Sequence, residues 1–583
     1  MATEAKLKGL LEWLDTNEIK WDKKDLEIRL SNSSFGVFAL RDLTDRQPLV
    51  KIPKTAILSS KSTGIANILE DEHVDGGCSL ALAVLYELSQ GDESPWYGYL
   101  QALPFSEDLP VFWTEQEKAW LQGTEIDASV HNDLNDLKDD YEMIVKPLLE
   151  QHPYVFTDVE KNYSFDLFCR ISTLVASRSF EVDAYHGTAM VPFADIFNHR
   201  AGSEHVHFET DYEVCEACGA PEYCEHRYLE ALEMEEKEGE SEDLGEDTDD
   251  EHENDDEEEE EEEDEAMSDA EEVMEDGDME GMPQELKAMM EADQDSEEEE
   301  EDTSLADLED LEERKVNFWE QDEEEQEKDT CDMVLDRPVK AQEEIFNTYG
   351  EHPNSVLLAK YGFCYENNAY DCISFSREKI FDACVRILQS ESSLTEDQVK
   401  EQVQSRMDSL VLRHEEDGCC GGGDHEHGHG HSHGHGHGEE DEEEEEEDEE
   451  DVEDNDRPFF ANKDGVFEDD LMILVYCVYC SQAAFNKVQE GGFTGMKDRR
   501  AERLVYTTCV QLATERRDEY PKTTEVNDAK NQRLAYALLC RHSEQDIVRK
   551  TIETYQELLE QSNILAQEQQ KKNKKQKKTK GRR

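Results

Sequence analysis

Two polyanionic stretches set the first limit on how this chain can fold. Residues 233–330 hold about 53 acidic and 5 basic side chains, and residues 415–456 about 21 acidic and none basic. Together they account for about 69 of the net charge of −91 on 583 residues. With so much charge and almost no aromatic residues, such segments cannot bury enough apolar surface to offset the entropy of ordering. Both are expected to be disordered loops, with at most short helical pieces near 283–290 and 305–311. What remains is only modestly acidic and long enough for two or three cores.

Outside those stretches the periodicities are ordinary. Leu7, Leu10, Leu11 and Leu14 recur at helical spacing. Residues 26–53 alternate as short strands: Leu26–Leu30, Gly36–Ala39 and Leu49–Pro53. Residues 79–174 read as mainly helical, with Leu80, Leu82, Val84, Leu85 and Leu88 forming an apolar face. Residues 190–210 return to extended sequence, and 331–376 are again globular. Residues 377–413 and 466–560 read as helices, the latter with strong periodicity at 471–480, 500–513 and 533–559. The implied class is α+β. A β-rich domain over 1–376, with a helical insert at about 80–175, is followed by a helical domain over 377–560. A basic tail, 561–583, closes the chain.

The 15 cysteines lack the dense spacing of a secreted scaffold, and residues 1–20 lack an apolar signal core. Free thiols in a reducing compartment, nucleus or cytoplasm, are expected. The longest apolar run, 471–480, is too short to cross a bilayer, so no membrane partner is expected.

Two motifs carry the chemistry. The first is Val191-Pro192-Phe193-Ala194-Asp195-Ile196-Phe197-Asn198-His199. The second is Glu343-Glu344-Ile345-Phe346-Asn347-Thr348-Tyr349-Gly350, followed by Asn354 and Tyr361-Gly362-Phe363. Taken with the segment 80–104, Ala176-Ser177-Arg178-Ser179-Phe180, Tyr520-Pro521 and Arg533–Leu538, they resemble the SET-domain enzymes related to the Rubisco large-subunit lysine methyltransferase. The overall layout is most similar to that of the fungal ribosomal-protein lysine methyltransferases.

The resemblance implies a β-rich SET core, a helical substrate-binding domain, and transfer of a methyl group from S-adenosylmethionine to a lysine of a basic protein, a ribosomal protein first and a histone as the alternative. It puts Tyr349 at the neck of a lysine channel as the catalytic residue, with Tyr361 lining the channel and Asp195 close to the substrate. It assigns the cofactor to Ser34, Phe35, Gly36, Arg178, Asn198, His199 and Phe363. Ser34 departs from the pattern, standing where a first glycine is common; Phe363 reads as packing more than as chemistry, though its ring could lie against the adenine. Retention of Tyr361 favours lysine over histidine as the acceptor. A non-catalytic SET scaffold that chaperones basic proteins is the reading from a different class. The enzyme is expected to be a monomer that makes no direct nucleic-acid contact through its core.

Such a site suits the reaction, because in-line methyl transfer asks the protein mainly for positioning and electrostatics. A desolvated channel also disfavours the ammonium form of the incoming amine.

Other constellations stand apart from this site. Cys215, Cys218, Cys224 and His226 have the residue types and the first pair the spacing of a compact structural zinc site, against a reading as loose thiols. Seven histidines alternate from 425 to 437, a metal-avid tract of low complexity. The acidic stretches could solubilise the chain, attract a basic client by salt-sensitive steering, or accept phosphate at Ser268 and Ser296. The basic run from Lys571 to Arg583 reads as a localisation signal, an RNA-contacting arm, a solvated tail, or an arm folding back on the acidic loops.

Overall fold

The computed structural model describes residues 2–31, 34–44, 46–220, 224–229, 329–410, 457–489, 493, 495–521 and 531–580. Almost all of both acidic stretches, the histidine tract, and Ser268 and Ser296 lie outside them. Residues 1–226 and 328–583 form one compact unit; of a second, 227–327, only three residues are described.

Helix α1 (Glu4–Thr16) starts at Thr3, whose side chain accepts from the Lys6 amide, and buries Leu10, Trp13 and Leu14. Two four-stranded sheets follow. The first has the order β1 (Lys20–Trp21), β4 (Pro48–Pro53), β9 (Thr330–Leu335), β8 (Val206–Thr210), all pairs antiparallel. The second has the order β2 (Leu26–Ser31), β3 (Ser34–Ala39), β10 (Glu344–Asn347), β7 (Asn198–His199). In β2 the alternation places Leu26 and Ile28 inside while Glu27 faces out. Two short pairs complete the strands, β5 (Ser179–Glu181) with β6 (Thr188–Met190), and β11 (Cys372–Phe375) with β12 (Phe459–Asn462). Neither member of the last pair was expected as a strand from the sequence.

The helical insert comprises α2 (Gly76–Gln90), α3 (Glu125–Asp140) and α4 (Phe165–Arg178), with shorter turns between. Helix α2 buries every residue from Ser79 to Leu85, so it is a core helix rather than an amphipathic surface one. Helix α4 buries Phe168, Ile171, Leu174 and Val175 and is capped by Ser164. One apolar core extends from Leu10 to Ile345 through these strands and helices.

A second core, from Ile373 to Tyr555, is built by α5 (Arg377–Glu391), α6 (Glu396–Asp408), α7 (Asp469–Tyr479), α8 (Arg499–Glu519) and α9 (Gln532–Lys580). A small third cluster joins Trp113, Leu121, Ile126 and Val130 of the insert to Leu358, Cys364, Ala537 and Cys540. Helix α9 corrects the expectation that the helix ends near 560 and gives way to a tail. It continues to Lys580, because Gln, Glu, Lys and Ala dominate that stretch and none breaks a helix. Among the described residues every cysteine is free, and no helix is long and apolar enough to cross a membrane.

Candidate functional site

Strands β7 and β10 bring the two motifs together. They pair in parallel, Phe346 with Asn198 and Asn347 with His199. The strands are short, but the side chains extend the join. The Asn198 amide donates to the Glu344 carboxylate at 2.6 Å and to the Phe35 carbonyl at 3.2 Å. A Cβ on Gly36 would lie 2.4 Å from Glu344 Oε1 and 3.1 Å from Asn198 Nδ2, so only glycine lets β3 run this close. Ser34 sits at the start of β3, its hydroxyl 3.3 Å from the Ser31 carbonyl. Phe35 and Gly36 thus meet Asn198 within one sheet, with Ser34 one residue before them.

Beyond β10 the chain turns, and the Tyr349 amide donates to His199 Nδ1 at 2.9 Å. Burial, and then the charge of His352, hold the His199 imidazolium down to a pKa of about 4. The ring is therefore neutral near pH 7. Since Nδ1 accepts, the proton resides on Nε2, and that buried atom finds no partner among the described residues.

The Tyr349 hydroxyl donates to the Phe197 carbonyl at 3.1 Å. Its ring centroid lies 4.8 Å from that of Tyr361 and 5.1 Å from His199. Phe363 completes the aromatic group, 5.8 Å from His199 and 6.4 Å from Tyr361. Burial raises the Tyr349 phenol well above its usual range and the Tyr361 phenol to about 12, so both stay protonated. Asn354 supports this group from behind. Its side chain bonds the Tyr365 backbone at both ends, 3.0 and 3.1 Å, and the Asp371 carboxylate at 3.0 Å.

Arg178 and Asp195 form the remaining wall. Arg178 donates to the Asp195 carbonyl at 3.1 Å and pairs with Glu107 at 2.7 Å; its Nη1 lies 3.8 Å from Asp195 Oδ2. The Tyr99 hydroxyl donates to the same Asp195 oxygen at 3.0 Å. Burial pushes the Asp195 carboxyl up to about 6 against the pull of Arg178, and its Oδ1 has no hydrogen-bond partner among the described residues. Glu107 and Tyr99 were not singled out from the sequence. Tyr99 lies within the Trp96 segment that carries the resemblance, but an isolated Glu in a loop gives no signal of its own.

Two hollows, of about 270 and 320 Å³, are lined mainly by the helical insert and include none of these residues. Cys215, Cys218, Cys224 and His226 lie apart from it, beyond the end of β8. They too come together, with all donor atoms within 4.8 Å of one another.

The fold is shared with solved structures. The SET domain of LSMT bound to methyl-lysine and AdoHcy aligns over 97% of this chain and 94% of its own, with a TM-score of 0.55 at 13% identity. Rubisco LSMT bound to AdoMet aligns over 96% of this chain and 93% of its own, with a TM-score of 0.54 at 13% identity. In fold, the chain is similar to these SET domains.

In sequence, it is 28% identical over 370 residues to ribosomal lysine N-methyltransferase 3 of Saccharomyces cerevisiae, covering 58% of each chain. It is 32% identical over 188 residues to N-lysine methyltransferase setd6 of Xenopus tropicalis, covering 29% of this chain and 41% of the relative. The chain thus spans less than two thirds of the length of these curated relatives. No protein-family model matches it.

Proposed function

We propose that the chain is a protein-lysine N-methyltransferase that uses S-adenosylmethionine, and that its substrate is a basic protein, a ribosomal protein first. The observation that carries this reading is the Tyr349 phenol, protonated and half-buried, anchored to the carbonyl that precedes Asn198-His199 and facing Tyr361 at 4.8 Å.

The residues present fit the cofactor. Among the described residues, His199 Nε2 is a buried donor lacking a partner, and Asp195 Oδ1 a buried acceptor lacking one. Both are costly unless a ligand satisfies them. Asn198, His199, Arg178 and the Ser34-Phe35-Gly36 segment would hold the cofactor. When bound, S-adenosylmethionine supplies a methyl group on a positively charged sulfur.

The rest falls to this chain. Tyr349, Tyr361 and Phe363 present a half-buried aromatic wall whose desolvation of an entering lysine disfavours the ammonium and so favours the free amine. The Tyr349 oxygen, its proton committed to the Phe197 carbonyl, retains lone pairs that can accept an amine N–H and orient its nitrogen. Asp195, an acceptor neutralised by Arg178, is placed to align the substrate. The naming of the yeast relative supports a ribosomal substrate, as does the acidic charge of 233–330, which favours encounter with a basic protein.

The test is transfer of tritiated methyl to ribosomal proteins, histones and buffer alone by the full chain. Label on a lysine of a ribosomal protein is the expected result. Label confined to histones would reassign the substrate. Tight, salt-sensitive binding without any label would mean a non-catalytic scaffold. Tyr349→Phe should lower kcat by roughly a hundredfold, the scale of losing one transition-state hydrogen-bonding group, while the cofactor Kd stays nearly constant. An equal loss of both would contradict the role given to Tyr349.

A further inference from the structure

The chain leaves the first sheet at Thr210 and rejoins it at Thr330, where Thr210 pairs with Cys331. The ends of that long connection are anchored by one buried cation. Lys54 Nζ bonds the Asp211 carbonyl at 2.9 Å and the carboxylates of Asp183 at 2.7 Å and Asp329 at 2.9 Å. Immediately after Asp211 the chain folds into a tight knuckle. The Cys215 amide donates to the Ala220 carbonyl at 2.9 Å, and the amides of Cys218 and Gly219 donate back to the Cys215 carbonyl at 3.3 and 2.7 Å. Gly219 adopts φ +70°, and a Cβ there would meet the Tyr185 ring at 2.9 Å. The turn therefore needs glycine twice over, for its dihedral and for its packing.

We propose that Cys215, Cys218, Cys224 and His226 form a closed structural zinc site. Their four ligand atoms already lie within 4.8 Å of one another. Bonds of about 2.3 Å to sulfur and 2.0 Å to nitrogen place tetrahedral donors roughly 3.5–3.8 Å apart. The widest pair therefore has to close by about one ångström, a movement within reach of side-chain rotation.

The donor set selects the ion. Three thiolates and one imidazole suit zinc, and there is no carboxylate oxygen in the set to favour calcium or magnesium. Four protein ligands fill a tetrahedron and leave no position for water or substrate, so the site is structural, not catalytic. Binding releases the protons of the three thiols.

The site's place in the fold gives its purpose. The Ala184 amide donates to the Tyr212 carbonyl at 3.3 Å, and Tyr185 lies against Gly219. The metal would lock residues 211–226 onto the 183–186 loop, beside the Lys54 anchor. It would thus fix, against the SET core, the point from which the acidic segment starts. The site does not depend on the methyltransferase reading.

The histidine tract at 425–437 is the confounder, so the experiment separates the two on the full chain, purified without a metal resin. Metal analysis after dialysis against EDTA should find one equivalent of zinc in the intact chain and in a variant lacking residues 425–437. It should find none in Cys215→Ser/Cys218→Ser. Cobalt exchanged into the intact chain should show thiolate-to-metal charge transfer together with strong tetrahedral ligand-field bands, which histidines alone cannot give. If the serine variant fails to fold, the cobalt spectrum of the intact chain decides. Zinc that disappears with 425–437 but survives the serine substitutions would overturn the proposal. So would an intact chain with no retained zinc, or a cobalt spectrum without the thiolate band.

Discussion

Asp195 shows how much of this site rests on a single buried carboxylate and its donors. One of its oxygens has only the Tyr99 hydroxyl at 3.0 Å and Arg178 at 3.8 Å; the other has no hydrogen-bond partner among the described residues. Its pKa is raised by burial to about 6, so the folded state holds this proton more tightly than an unfolded chain with its ordinary value of 3.8. Stability from this group is therefore lost as pH rises between those two values. Removing the Tyr99 hydroxyl deprives the carboxylate of a donor that favours its charged form. Tyr99→Phe should raise the Asp195 pKa further and destabilise the protein by about 1–3 kcal/mol at neutral pH, with a smaller loss at acid pH where Asp195 is protonated. Urea unfolding of both proteins on either side of pH 6 measures this, and an equal loss at both would remove Asp195 from the account. At this scale the sequence exposed the residues that motifs carry: Asp195, Asn198, His199, Tyr349 and Tyr361. It did not expose partners such as Glu107 and Asp371, because a lone carboxylate acquires its role only from what the fold packs against it.

The C-terminus of α4 is the element that clamps the two sequence-distant halves of the site. Ser177 Oγ lies 2.6 Å from the Lys360 carbonyl, beside Tyr361, and equally 2.6 Å from the Thr173 carbonyl of its own helix, so its one proton is shared between them; Arg178 bonds the Asp195 carbonyl at 3.1 Å. Two adjacent residues at a helix end thus hold both walls. Ser177→Ala cuts the first tie, a hydrogen bond worth about 1 kcal/mol net. It should lower kcat severalfold through a less well-placed Tyr361, with cofactor affinity unchanged and melting only slightly earlier. A cofactor Kd that worsens in step with kcat would show that the tie serves the whole site rather than the Tyr361 side. Elements with strong internal periodicity were readable: α1, β2 to β4, the insert helices and α7 to α9. The β11–β12 pair was not, since Cys372–Phe375 finds its partner only at Phe459–Asn462, across the second acidic stretch. Strand pairing at such separation leaves no local trace, and four-residue strands are too short to show alternation. The end of α9 was misjudged for the opposite reason. Charge was read as a tail, whereas Lys and Gln are good helix formers.

The helical insert and the C-terminal helices meet at an ionic cluster as well as at the third apolar cluster. Arg516 of α8 pairs with Glu125 of α3 at 2.9 Å, with Glu519 at 2.9 Å and with Glu544 of α9 at 3.3 Å. Glu544 also accepts from the Tyr520 hydroxyl at 2.9 Å and the Glu125 amide at 3.1 Å. Glu125 in turn accepts from the Ser374 amide of β11 at 3.0 Å. One guanidinium therefore faces three carboxylates. Burial first, and the neighbouring Glu125 second, raise Glu544 to about 8, outweighing the pull of Arg516. The unfolded chain ionises this group near its ordinary 4.5, so between 4.5 and about 8 it binds fewer protons than the folded chain. The stability slope with pH is then negative across that window, with a ceiling of about 1.4 kcal/mol per pH unit for one proton. Glu544→Gln mimics the protonated form and removes the titration. Its unfolding free energy should stay level where the parent's falls, so the two proteins, matched near pH 4.5, should separate as pH approaches 8, the Gln variant becoming the more stable. Parallel curves across the window would mean that Glu544 is ionised throughout, with Arg516 overcoming burial. Because the same cluster joins α3 to α8, α9 and β11, the parent should also lose protection from proteolysis at these helices as pH rises, and the Gln variant should keep it.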